Sequence, residues 1–494
     1  MNINETKDVA TLQLELFNHF ENVFKSITGS SYQDIHNEED IGKHILSYNS
    51  EKGPELIHKL YENSINDLKQ FYHNYSVILF NQAKELGGLK IVLGGQKTFW
   101  ESASHAVKQM STYVDTQLIP DPIYPFFEGD LDLKFKYANF LLNLLYILQF
   151  KPFVELKMNC PPIFIFPSFE KTLESHDKKT FDGILVILVN LIKHFSSENI
   201  NSIEELLDFE NKFPDKFIKL VLENKLFIPQ GESPDEHFSE NELFEKYLKS
   251  LEETKSEKYV LDIKKLPRSR MLMHGITERI LPQYHLLENC EELSAQPLLS
   301  QEVHWHYYTK CSEANSRGLL KSELINEETF NLIKAFQNKK FSWMSSININ
   351  ELALIIKNRE HLDFRNKLNE CISFISTADK KNINNIVKEI NYCFNTLIDD
   401  HNKKISELSI HYKNTNPLNI LGLGSGLLAF PTAILSCFGN MNLSTVVPSL
   451  IGSLGAGYAL SKVNNLNKEM KEKQKLNKSL IGIFAKYKKV RTNL

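Results

Sequence analysis

The chain has 494 residues, 42% of them hydrophobic and 24% charged, with a formal net charge of −4. That length predicts two to four domains with ordinary cores, and the near-neutral total excludes a wholesale nucleic-acid binder. Six cysteines (Cys160, Cys290, Cys311, Cys371, Cys393 and Cys437) are scattered without a C-x-x-C pair. This excludes a zinc ribbon or a disulfide framework and predicts reduced thiols.

The opening MNINETKDVA lacks a basic run followed by an apolar core, so no signal peptide is expected and the bulk of the chain is expected in the cytoplasm. The heavy use of Asn, Lys and Ile is that of an AT-rich genome and points to a bacterial source. Residues 8–28 read as a helix, because Leu12, Leu14, Leu16, Phe17, Phe20, Val23, Phe24 and Ile27 recur at near-helical spacing. Residues 55–86 read as a second helix, with Leu60, Leu68, Phe71 and Tyr72 on a broad apolar face. Together they form an N-terminal helical region, 1–84.

At Gly87 the character changes. Leu89–Leu93 is a short β-rich run closed by Gly94-Gly95, and a helix is predicted from Thr98 to Met110. Asp115–Ile119 is a second strand, ended by Pro120-Asp121-Pro122. A helix from Asp130 to Leu148 and a third strand, Ile163–Phe166, follow. Strand, helix, strand, helix, strand predicts a small α/β unit with a short parallel sheet over 85–200, closed by an apolar helix from Asp182 to Phe195. Gly94-Gly95-Gln96-Lys97-Thr98 follows a strand but lacks the G-x-x-x-x-G-K-[ST] spacing, so it reads as a tight turn rather than a phosphate loop.

Residues 201–320 are a mixed, largely helical region, with short strands predicted at Tyr259–Leu261 and Val303–Trp305. Residues 321–413 resume helical periodicity. Asn350 is predicted as an N-cap, a helix runs from Phe364 to Ile375, and Asn382–Tyr412 is a stalk helix without Pro or Gly. Leu466–Val490 is a second amphipathic helix, and the two are expected to pair antiparallel.

Between them lies the most unusual stretch. Residues 414–461 contain no Asp, Glu, Lys or Arg over 48 positions. Two apolar blocks, Pro417–Phe438 and Leu443–Leu460, are joined by the turn Gly439-Asn440-Met441-Asn442. About 20 apolar residues suffice to cross a bilayer, so the stretch reads as a transmembrane helical hairpin. Gly422 and Gly426, and Gly452 and Ala456, are four apart and are predicted to pack the two helices closely. Residues 462–494 carry nine Lys and one Arg against two Glu, a local charge of +8 that leaves −12 on the rest of the chain. Lys471, Lys473, Lys475, Lys478, Lys486, Lys488 and Lys489 of this basic amphipathic tail are candidates for lipid head-group contact.

Candidate chemistry is sparse. Asp121 at the carboxyl end of a predicted strand stands where α/β folds bind ligands; Asp115, Glu128, Asp130 and Asp132 are near it in sequence. The competing reading makes these turn and cap residues. Glu302, His304 and His306 alternate, so a strand would set all three on one face as a weak ligand cluster. No metal site is assigned, the catalytic residues and cofactors are unknown, and enzyme activity is left open.

The expected fold is therefore mainly α-helical (α+β), with the small α/β unit in the N-terminal half and a helical C-terminal half ending in the hairpin. The leading functional reading is a membrane-associated protein of the bacterial inner membrane. Its bulk faces the cytosol, and its hairpin perturbs the bilayer in a defence or abortive-infection role. At the level of architecture the hairpin resembles those of pore-forming toxins. The partners expected are the lipid bilayer and further copies of the chain through hairpin and stalk. The alternatives are a soluble, cytoplasmic helical scaffold or binding protein without membrane insertion, and an enzyme using the 85–200 unit.

Overall fold

The protein is described by a computed structural model covering residues 7–35, 40–43, 53–94, 100–127, 133–167, 178–196, 198–299, 302–319, 327–373, 383–414 and 468–492. It is mainly helical and contains a small four-stranded parallel sheet. Two units are distinguished, residues 1–387 and 388–494.

In the first unit, helix α1 (Val9–Thr28) buries Leu12, Leu16, Phe17, Phe20, Val23, Phe24 and Ile27. Asp8 opens it by accepting the Thr11 amide at 2.8 Å, and Gly29 closes it at φ 70°, a left-handed conformation that glycine adopts without strain. Helix α2 (Gly53–Glu85) packs along α1 and against the sheet.

The strands are β1 (Lys90–Leu93), β2 (Thr116–Pro120), β3 (Ile163–Phe166) and β4 (Gln296–Leu298), in the order β3-β2-β1-β4. All pairs are parallel; Val92 stands beside Leu118 on one side and Pro297 on the other, and Leu118 stands beside Phe164. Helix α3 (Trp100–Met110) joins β1 to β2. Helices α4 (Leu133–Leu148) and α5 (Lys151–Val154) join β2 to β3. Ile91, Val92, Leu118, Ile119 and all of β3 are buried, as a parallel sheet covered on both faces requires.

The two edge strands are managed differently. The Gln13 amide on α1 donates to the Ile165 carbonyl at 2.8 Å and accepts the Ile165 amide at 2.8 Å, so one buried side chain stands in for a fifth strand on the free edge of β3. On the other edge, Pro297 tolerates the position because an edge strand needs no outward amide.

Beyond β3 the chain builds a helical layer from α6 (Lys178–Phe195), α7 (Ile203–Lys212), α8 (Pro214–Glu223), α9 (Glu240–Thr254), α10 (Glu257–Lys264), α11 (Arg268–Glu292) and, after β4, α12 (Glu302–Leu319). Ile192, Leu206, Phe217, Leu272 and Ile276 lie at its centre. Helices α13 (Glu327–Phe336), α14 (Ile349–Lys357) and α15 (Glu360–Ser373) complete the unit. Phe336 packs on Tyr113 with ring centroids 5.4 Å apart, and Arg365 pairs with Asp115 at 2.8 Å.

Three local expectations are corrected. Residues 259–261 lie in α10, which Ser256 caps by accepting the Tyr259 amide. Residues 303–305 lie in α12, whose buried Trp305, Tyr308 and Cys311 recur every three residues and mark a helix. Asn348, not Asn350, caps α14; it accepts the Asn350 amide at 2.8 Å.

In the second unit, residues 388–414 of helix α16 (Ile383–Asn414) lie antiparallel to helix α17 (Leu480–Thr492). Phe394 meets Phe484 with ring centroids 5.2 Å apart, while Asn391 and Asn395 reach Lys488. The predicted single helix over 466–490 is broken: residues 468–477 and α17 are separated at Lys478-Ser479. Ser479 donates to the Leu476 carbonyl at 2.6 Å and accepts the Gly482 amide at 3.3 Å. Only glycine fits at 482, where a Cβ would collide with the Leu476 carbonyl and lie 2.8 Å from the Asn477 Cα. Of the tail lysines, Lys471, Lys475, Lys478, Lys486 and Lys489 are exposed, and Lys473 pairs with Glu469 at 2.7 Å. Lys488 turns inward, and burial pushes its pKa down.

Among the described residues no helix is long and apolar enough to cross a membrane. This overturns the membrane-inserting reading and its inner-membrane placement. The most apolar described helices fail on length or charge: α4 has 16 residues, and α6 carries Lys178, Lys179, Asp182 and Lys193 within 18. Residues 415–467 lie outside the described residues, and with them Gly422, Gly426, Gly452, Ala456 and the predicted turn.

Two predictions follow from the packing. Gln13→Met leaves the Ile165 amide and carbonyl buried without partners. The unfolding free energy should drop by about 2–4 kcal/mol, read as a lower urea midpoint at unchanged slope. Gly482→Ala should open the corner at 478–479, so hydrogen exchange should accelerate in residues 480–492 while β1 to β3 keep wild-type protection.

Candidate functional site

In open parallel sheets, ligands bind beyond the carboxyl ends of the strands, at the point where strand order reverses. Here the chain proceeds from β1 outward to β2 and β3, then returns to place β4 on the other side of β1. The reversal therefore lies between β1 and β4. At that point the Gly94 amide donates to the Leu298 carbonyl at 2.8 Å. A Cβ on Gly94 would lie 2.7 Å from Leu299 Cδ2 and 3.4 Å from Leu286 Cδ2, so the closeness of the two strand ends depends on glycine.

Leu286 fixes the level of α11 against the end of β1. Helix α11 leads directly into β4 and runs opposite to the strands, so its earlier residues lie farther out from the carboxyl edge. Gln283 and Arg279, three and seven residues before Leu286, share its helix face. Helix α12 rises antiparallel beside them. Gln283 Nε2 donates to His304 Nδ1 at 3.4 Å, which leaves the imidazole proton on Nε2. One turn farther out, the Arg279 guanidinium lies beside the Tyr307 hydroxyl, close enough for its charge to favour the phenolate. That hydroxyl also accepts the Ile228 amide at 2.5 Å, and the Arg279 guanidinium lies 6.0 Å from the Phe227 ring centroid.

Gln283 is 2% exposed, and its Oε1 has no hydrogen-bond partner among the described residues; neither has Arg279 Nε. Burial, and then the Arg279 charge, push the His304 pKa down to about 4, so the imidazole is neutral at pH 7. Burial pushes the Tyr307 pKa up to about 12. The cluster thus holds one fixed positive charge, a neutral imidazole, a protonated phenol and an open amide oxygen.

Of the residues singled out from sequence, only His304 belongs to this cluster. Helix α12 separates the alternating trio: His306 Nε2 bonds the Lys225 carbonyl at 2.7 Å on another side, and Glu302 is exposed at the first turn. Among the described residues no group of three His, Cys, Asp or Glu side chains is placed to hold a metal ion. Arg279, Gln283 and Tyr307 were missed, because nothing local distinguishes them from ordinary helix residues. Gly95–Thr98, Glu128, Asp130 and Asp132 lie outside the described residues.

Asp121 does stand at the carboxyl end of β2, but its oxygens are occupied. Oδ1 accepts the Ile123 and Tyr124 amides at 2.8 and 3.1 Å, and Oδ2 accepts the Tyr72 hydroxyl at 2.7 Å. Tyr72 in turn packs its ring on Tyr124 and Phe127. The carboxylate locks α2 to the turn after β2. Asp115 is likewise engaged, by Arg365 and by the Leu89 amide at 2.8 Å. A surface cleft of about 350 Å³ beside Asp8, Glu15, Asn18 and Lys157 has its acids committed, Asp8 to the α1 cap and Glu15 to Lys7 at 2.7 Å. No family model, curated protein or solved structure matches this chain.

Asp121 makes stability pH-dependent. Burial raises its pKa from 3.8 to about 6, against the hydrogen bonds that favour the anion. Between those values the folded chain holds a proton that the unfolded chain has released. Stability therefore falls as pH rises through this window, by about 3 kcal/mol in full. Asp121→Asn keeps an acceptor oxygen and removes the charge. The stability of the variant relative to wild type should rise by about 2–3 kcal/mol between pH 4 and 7 in paired urea titrations; a difference flat in pH would contradict the assignment.

Proposed function

We propose that this chain is a helical scaffold that binds a small polar molecule where α11 and α12 leave the carboxyl edge of the sheet. The observation that carries this reading is Gln283. A buried amide oxygen without a partner costs about 1–3 kcal/mol; several buried atoms among the described residues share that state, and Gln283 Oε1 is set apart by Arg279 Nε on the same helix face and by its place at the strand reversal. The reversal of strand order supports the same location on independent grounds. A guanidinium, an amide and a neutral imidazole recognise and orient a molecule, which is why binding is preferred here over a reaction.

Thermal unfolding of the full chain with ribose 5-phosphate, gluconate, NAD, ribose, arginine and spermidine tests the proposal. A ligand at 100 times its Kd stabilises by about 2.7 kcal/mol. At least one compound should raise the midpoint by a few degrees, and Arg279→Ala or Gln283→Met should abolish that rise. Midpoints unmoved by every compound, or variants that respond like wild type, would exclude binding at this cluster.

A further inference from the structure

The surface cleft of about 350 Å³ at the start of α1 is lined by opposite charges that do not meet. We propose that it binds a free amino acid with an uncharged side chain, its ammonium on Asp8 and its carboxylate on Lys157. The cleft shares no residue with the cluster on α11 and α12, and the two sites stand or fall separately.

Two segments form the walls. Asp8, Thr11, Glu15 and Asn18 follow one another at helical offsets along a single stripe of α1. The other wall is the chain between α5 and β3, which brings Lys157 and Asn159 into the lining. The volume falls at the lower end of small-molecule sites, which begin at about 300 Å³.

The charges select the ligand. Asp8 accepts the Thr11 amide at 2.8 Å on Oδ1 and the Thr11 hydroxyl at 3.1 Å on Oδ2. These bonds hold its carboxyl below the usual carboxylate range, so it is anionic at pH 7. Capping uses one lone pair of each oxygen and leaves the others open to a further donor. Glu15 differs, because Lys7 takes both of its oxygens, at 2.9 and 2.7 Å, and cancels its charge. Lys157 is exposed, and its ammonium has no partner among the described residues. An anion alone would meet Lys157 but be repelled by Asp8, and a cation alone would suffer the reverse. A zwitterion satisfies both. No further uncompensated charge lines the cleft, so a charged side chain would find no counter-ion. What remains for the side chain is the half-buried Leu14 and the exposed amides of Asn18 and Asn159.

Calorimetric titration of the full chain tests the assignment, with leucine, glutamine, arginine and glutamate as amino acids. Isoamylamine and 4-methylpentanoate, which each keep one charge of leucine, complete the probes. Leucine or glutamine should bind at least about tenfold more tightly than any of the other four, the worth of one charge-assisted hydrogen bond. Two substitutions remove one charge each without disturbing the backbone. Asp8→Asn keeps a capping oxygen, and Lys157→Gly suits the left-handed φ of 53° at that position. Both variants should melt like wild type. Asp8→Asn should reduce leucine to the affinity of 4-methylpentanoate, and Lys157→Gly should reduce it to that of isoamylamine. Arg279→Ala should bind leucine as wild type does, which separates this cleft from the cluster on α11 and α12. Binding of 4-methylpentanoate as tight as that of leucine would overturn the zwitterion in favour of a plain anion. Absence of binding by every amino acid, or leucine affinity unchanged in both charge variants, would overturn the site itself.

Discussion

Everything beyond the carboxyl edge of the sheet hangs on the pairing of β1 with β4. The strands are separated by some two hundred residues and joined by short ladders, and their ends meet through the Gly94 amide and the Leu298 carbonyl. Closing so long a loop costs little more than closing a short one, since the entropy grows only with the logarithm of length. Burial of Leu286, Leu298 and Leu299 around Gly94 opposes that cost. Once the pair forms, α11 must descend to the sheet and α12 must leave it, and the faces of the two helices are brought into register with no further choice.

Buried polar groups mark how each part of the first unit is fastened. Gln13 supplies both halves of a backbone pair to the edge strand β3. Asp121 is held by three donors, with no cation beside it among the described residues, so desolvation dominates and its pKa rises. Asp115 resembles it in sequence but sits at the amino end of β2, half-exposed and facing Arg365. These groups are consumed by structure. Gln283 keeps an oxygen without a partner among the described residues, as Gln117 does, in surroundings where such an atom is costly.

Local order was legible because it obeys local rules. The apolar period of α1, the unbroken run of α16, and the β-branched and aromatic runs of β1 and β3 can each be read within a short window. β4 could not be found that way. Gln296-Pro297-Leu298 is three residues long and contains a proline, and it is a strand only because β1 lies beside it. The alternation of Glu302, His304 and His306 imitated a strand, yet the buried Trp305, Tyr308 and Cys311 give α12 its true period. The charge-free composition of 414–461 suggested a membrane segment, while the described helices closest to it in apolarity are too short or too charged to span one.

The sequence by itself therefore determined the fold class, the order of most helices and strands in the first half, and the presence of a long helix whose partner follows it in the chain. These properties depend on side-chain periodicity and caps, which act over a few residues. Only the tertiary structure decided which strand neighbours β1, that the Asp121 oxygens are taken up by Tyr72, Ile123 and Tyr124, and that Arg279, Gln283, His304 and Tyr307 converge. The reason is physical: a site assembled from two antiparallel helices is specified by their mutual register, and that register is set by contacts at β4 and Gly94 rather than by any pattern within the helices themselves.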